Sequence, residues 1–143
     1  MALKIIPVHT FVTCAELNYQ RDDYMDTFEA IHNRRSIRQY KSIPVDKDQL
    51  FYLVHLALRA PNAGNLQDFQ FIVCTDRETI MSLPQHCMDQ MWISSAPAVI
   101  VVCSRPEIQK KWYGEAGDFF ARQNAAAAAQ NICLGATAMG LGT

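Results

Sequence analysis

Three guanidinium groups stand at Arg34, Arg35 and Arg38, around Ser36, in the stretch HNRRSIRQYKSIPV. Arginine presents a planar fork of donors matched to phosphate oxygens and stays charged at any accessible pH, so a phosphate is its natural guest. In an extended segment Arg34, Ser36 and Arg38 alternate onto one side and Arg35 onto the other, because strand side chains repeat every second residue. The competing reading is a solvated basic turn at a helix end, where cations also interact well with the carboxyl-end dipole. Taken alone, the cluster leaves both readings open.

A second polar stretch, PNAGNLQ, follows at residues 61–67. Asn62, Asn65 and Gln67 offer both donors and acceptors, as a sugar alcohol or a heterocyclic imide would require. The same composition also describes an ordinary connection rich in turn formers. No acid, base, nucleophile or metal set stands out. His9, His32, His55 and His86 show no metal spacing, and His32 is at most a supporting donor beside the arginines. The cysteines, at 14, 74, 87, 103 and 133, form no CxxC pair and have no activating charge pattern beside them. Trp92 and Trp112 suit a core or a rim, and a rim aromatic would accept planar substrates.

These residues are set in a chain of 143, half hydrophobic and 19% charged, the composition of one packed domain. Thirteen basic against fourteen acidic residues leave a formal charge of −1. That balance provides no global field for nucleic acid or an anionic membrane, so any anion site must be local. No apolar run reaches roughly 18 residues and the start lacks a leader pattern, so the expectation is a cytoplasmic protein without membrane association.

The elements follow from pattern. Residues 1–24 are read as an unassigned amino-terminal arm or short strand, and 25–143 as the domain. A short helix from Met25 to Arg34, capped by Asp26 or Thr27, ends just before the arginines. Asp46 and Gln49 make a capping-box variant ahead of a helix whose face is Leu50, Leu53, Val54, Ala57 and Leu58, stopped by Pro61. FQFIVCT and AVIVVC predict two inner strands, the second of the kind buried on both faces. Short helices are expected over 78–83 and about 85–93. A long helix over about 117–139 carries five consecutive alanines and ends at Gly140. Such a helix suits a core or a dimer interface equally. The order is α+β, and the closing GLGT reads as a cap followed by the start of something else, the expectation for a truncated chain.

In order, RRSIRQY, the capped helix, APNAGNLQDFQFIV, APAVIVV and AQNICLGATAMGLGT resemble the nitroreductase family of flavin enzymes over roughly Met25 to Thr143. The specificity lies in the ordered set, since each motif singly is common. The resemblance implies a nitroreductase-like α+β fold, with a central mixed or antiparallel sheet flanked by helices and a long interface helix. It implies a homodimer with FMN at the subunit interface and NADH or NADPH as co-substrate. Arg34, Arg35 and Ser36 would serve the phosphate and ribityl end, and Arg38 the flavin ring near N1 and the C2 oxygen. Pro61, Asn62, Ala63, Gly64 and Asn65, with Gln67 beyond them, would close over the cofactor from the partner subunit. Asn62 stands where the family often has serine.

The implied activity is a two-step, ping-pong transfer of electrons from NAD(P)H to a nitroaromatic, quinone or related small-molecule acceptor. Its alternatives are a specialised relative that destroys flavin or removes halogen reductively, and a non-catalytic flavin- or phospholigand-binding module. The family's chain continues past GLGT toward residues at the flavin N5 edge and a tail around the partner. The C-terminal part of the family fold is therefore expected to be absent here.

Overall fold

The computed structural model describes residues 25–143 and the backbone of 4–6. Apart from that short strand, the arm expected over residues 1–24, with His9 and Cys14, lies outside the described residues.

The first two helices start where their capping chemistry predicts. Asp26 accepts hydrogen bonds from the Phe28 and Glu29 amides at 2.7 and 3.0 Å and opens α1, Thr27–Asn33. Both halves of the capping box form at α2, Lys47–Ala57, through Asp46 and Gln49. These bonds satisfy amide donors that a helix cannot pair internally, each contributing about 1 kcal/mol. The apolar stripe Leu50, Leu53, Val54 and Ala57 is buried as its spacing requires.

Strand β2, Phe69–Cys74, lies between β1, Lys4–Ile6, and β3, Val99–Ser104, in an antiparallel sheet. Phe69, Phe71 and Val73 point into the core and meet Leu53, Val54 and Ala57 of α2 and Ala128, Ile132 and Ala136 of the last helix. Burying each phenylalanine contributes about 2–3 kcal/mol relative to leaving it in water.

The second strand differs from its expectation. An apolar run is buried on both faces only when layers cover both and strands pair on both edges. Here β3 pairs with β2 alone among the described residues, and all six of its residues remain partly exposed.

The helix expected over 85–93 is also absent. After α3, Arg77–Ser82, the chain makes short 3-10 turns at 84–86 and 91–95. Met88 and Asp89 between them have φ near +52° and +55°, the left-handed region that ends a right-handed ladder. A helix the pattern did not predict, α4 at Pro106–Tyr113, has proline in its first turn, where the missing N–H costs nothing.

The long helix α5, Gly117–Ala138, packs against α1, α2, α4 and β3. Gly117, Ala121, Asn124, Ala128, Ile132 and Ala136 line its buried face at spacings of three and four. Small residues there set the interhelical distance. A Cβ on Gly135 would lie 2.4 Å from Leu56 Cδ1. Gly140, at φ +72°, closes the helix: its N–H donates to Thr137 O while that of Leu141 donates to Ala136 O.

Candidate functional site

The arginine segment begins where α1 ends. The Arg34 amide donates to Ala30 O, and residues 34–45 then run without helix or strand. Arg35 turns back: its Nη1 donates to His32 O at 2.6 Å and to Arg34 O at 2.8 Å, where a helix end leaves carbonyls without internal partners. Ile37 is anchored on both backbone groups, donating its N–H to Thr143 O at 2.8 Å and accepting from the Tyr40 hydroxyl at 2.8 Å. Gly142 lets the two strands of chain meet, since a Cβ there would stand 2.9 Å from Ile37 Cγ1.

Arg38 and Tyr40, two residues apart, both reach Trp92 in the 91–95 turn. The guanidinium carbon lies 5.8 Å from the indole centroid, and the two aromatic centroids are 6.4 Å apart. Burial pushes the Tyr40 phenol above its ordinary 10.0, against the opposing charge of Arg38. Among the described residues no hydrogen bond to protein uses the guanidinium donors of Arg34 or Arg38, or the Ser36 hydroxyl. These three side chains are therefore open to an outside oxyanion.

The 61–67 loop is built in the opposite way, with its polar groups tied to protein. Asn62 Oδ1 accepts from the Gln67 amide at 2.9 Å, and Gln67 Nε2 donates to Asn65 Oδ1 at 2.7 Å. Gly64, Asn65 and Gln67 all have positive φ, a conformation favoured by glycine and tolerated by asparagine but strained for glutamine. Elements far along the chain keep the loop there. The Ala63 amide donates to Asn124 Oδ1 at 3.1 Å, and Gln109 Nε2 donates to Ala63 O at 3.3 Å. Asn124 Nδ2 in turn donates to Asp68 Oδ1 at 2.8 Å, and Arg105 binds Gln67 O through Nη2 and Asp68 O through its amide.

Asp68, Gln109 and Asn124 are buried, and none of them, nor Arg105, was singled out from sequence. The available signal was an asparagine within the alanine run of α5, a polar group that must find a partner once the helix packs. Asp68 Oδ2, Gln109 Oε1 and Arg105 Nε keep no protein partner.

The two polar stretches meet different parts of α5. The loop is held at Asn124, and the arginine segment bonds the chain that follows Met139, with Tyr40 near Cys133.

Among proteins of known sequence, a model of the nitroreductase family matches residues 31–113 and 86–143, spanning both stretches. The chain belongs to the nitroreductase family. An Archaeoglobus fulgidus relative, provisionally named NADH dehydrogenase/NAD(P)H nitroreductase, is 33% identical over 82% of this chain and 65% of its own length. Two solved structures share the fold. An FMN-dependent nitroreductase from Clostridium difficile aligns with TM-score 0.68 at 32% identity, over 80% of this chain and 62% of that one. The NADPH:FMN oxidoreductase of Vibrio harveyi, complexed with NAD+, aligns with TM-score 0.70 at 26% identity, over 81% of this chain and 53% of that one. The chain thus spans less than two thirds of each.

The nitroreductase fold accounts for the α+β order, the antiparallel sheet and the long final helix. Among the described residues no helix is long and apolar enough to cross a membrane, and no cluster of His, Cys, Asp and Glu could hold a metal ion.

Proposed function

We propose that this chain supplies the FMN-binding part of an NAD(P)H-dependent flavin oxidoreductase, acting in the cytoplasm as a homodimer. The observation that carries this reading is the donor set of Arg34, Ser36 and Arg38, held in place yet unused by the protein. The residues present fit the group, because the Arg34 guanidinium and the Ser36 hydroxyl complement a phosphate with its polyol, and the positive charge of Arg38 suits a ring that becomes anionic.

The separation along α5 supports the dimer. One chain holds its 61–67 loop at Asn124 and its arginine segment at the chain beyond α5, whereas two chains in antiparallel register along α5 would bring the loop of one to the arginines of the other. The narrower site is then Arg34, Ser36 and Arg38 from one protomer, with Pro61, Asn62, Ala63, Asn65 and Gln67 from its partner. Arg35 would act through the end of α1, since its Nη1 already binds two carbonyls.

When bound, FMN would supply the redox chemistry, accepting a hydride from NADH or NADPH and passing electrons to a nitroaromatic, quinone or related acceptor. Arg34 and Ser36 bind and orient the phosphate and ribityl end. Arg38 places positive charge at the pyrimidine edge of the ring, which favours negative charge there. The loop amides, rigid before the ligand arrives, reduce the entropy lost on binding.

The test is direct. Purified protein reconstituted with FMN is expected to be yellow, dimeric, and bleached by NADH or NADPH without oxygen. Protein that stays colourless after dialysis against FMN refutes the reading, and colour without bleaching points to the binding module instead.

A further inference from the structure

The guanidinium of Arg38 hangs from a long flexible stem, and a useful charge must be held at one place. Among the described residues the Trp92 ring lies under it, with the guanidinium carbon 5.8 Å from the ring centroid. We propose that Trp92 is a positioning residue for Arg38, its indole face setting where the guanidinium presents its donors. The inference rests on the flavin reading above.

Two observations carry it. Arg38 and Tyr40 share one side of the 34–45 segment, and both meet the same indole, at 5.8 and 6.4 Å. The backbone just before Arg38 is pinned by the Tyr40 hydroxyl on Ile37 O and by the Ile37 amide on Thr143 O, so the stem of Arg38 starts from a fixed point. At 5.8 Å the guanidinium carbon is within cation–π reach of the indole, an attraction that occupies no hydrogen-bond acceptor and leaves N–H donors of Arg38 to bind a ligand. A hydrogen-bonding or ionic partner would have consumed those donors. Trp92 comes from the turn before β3, 54 positions after Arg38 in the chain (92 − 38). The shape of the 84–96 connection therefore bears on the affinity of the site.

The experiment measures FMN affinity and the reduction potential of bound FMN in Trp92→Ala, Trp92→Phe, Arg38→Ala and the Trp92→Ala/Arg38→Ala double variant. Trp92→Ala is expected to weaken FMN binding about three- to tenfold and to lower the potential, as Arg38→Ala does. Trp92→Phe, which keeps a ring face, is expected to recover most of both. In the Arg38→Ala background, removing the indole should cost nothing further, because there is no guanidinium left to position. Equal losses from Trp92→Ala with and without Arg38 would overturn the proposal while leaving the flavin reading intact. Failure of the wild-type protein to bind FMN would overturn the flavin reading instead. The contact itself is tested without cofactor in a Trp112→Phe background: Arg38→Ala should shift the Trp92 emission, and unchanged emission would refute the contact.

Discussion

Replacing Asn124 with alanine tests the idea that α5 holds the 61–67 loop through one buried amide. The substitution removes two hydrogen bonds, from the Ala63 amide at 3.1 Å and to Asp68 Oδ1 at 2.8 Å. Asp68 is fully buried and its other oxygen already lacks a protein partner, so the carboxyl group would lose its remaining side-chain donor. A bond to such a group is worth about 1.5–3 kcal/mol and the backbone bond about 1, so Asn124→Ala should cost about 2.5–4 kcal/mol. With a urea m-value of about 2 kcal/mol per molar, the midpoint falls by about 1.3–2 M at unchanged m.

Asn124→Asp should be at least as damaging, since it replaces the donor with a second carboxylate. The combined variant Asn124→Asp/Asp68→Asn reverses the direction of the bond and should recover at least half the loss. Equilibrium urea unfolding followed by far-ultraviolet circular dichroism gives all three values. A loss below about 1 kcal/mol for Asn124→Ala, against the ordinary value of a neutral exposed bond, would refute the argument, as would a double variant no better than the sum of its singles.

Gly135→Ala forces a methyl against Leu56 and should cost about 1–3 kcal/mol, partly restored by Leu56→Ala; a thermal melt equal to wild type would show that α2 and α5 have slack. Gly64→Ala meets both a positive φ and the Tyr113 hydroxyl, 2.6 Å from the added carbon, so Tyr113→Phe should relieve only part of its destabilisation of about 1–2 kcal/mol.

The Asp76 carboxyl is held below its ordinary 3.8 by the Thr79 amide and then the Thr79 hydroxyl. Its contribution to stability is therefore complete above 3.8 and lost as the pH falls through the lower folded value, and Asp76→Asn should remove that slope from an acid titration of unfolding. Burial, aided by Arg59, pushes the His55 imidazolium below its ordinary 6.5. The unfolded chain then takes up a proton that the folded chain refuses, so stability falls as the pH drops from about 6.5 toward the folded value, and His55→Gln should flatten that interval.

Local chemistry explains why much of the fold was readable before any coordinates. The Asp46–Gln49 box, the Asp26 cap, the apolar stripe of α2 and the end of α5 at Gly140 are closed by groups two to five residues apart, so type and spacing suffice. The ordered motifs likewise carried the family, because each is a contiguous run. The strand at Val99–Ser104 forms as expected but is not buried on both faces, because an apolar run reports hydrophobicity and not which neighbours cover it. The helix expected over about 85–93 does not form because Met88 and Asp89 take left-handed backbone angles, which side-chain pattern does not report.

The candidate site divides along the same line. Residue types alone identified the arginines, Ser36 and the amide-rich loop as groups able to hold an anion and a polar ring. Only packing made Arg35 bind its own helix end, set Arg38 on Trp92, tied Ala63 to Asn124, and put the two stretches at different points along α5. Those outcomes depend on groups brought together from 54 to 61 positions apart in the chain, or on the exact end of a helix. A linear pattern shows what each group can bind, and the burial of α5 decides which of them meet.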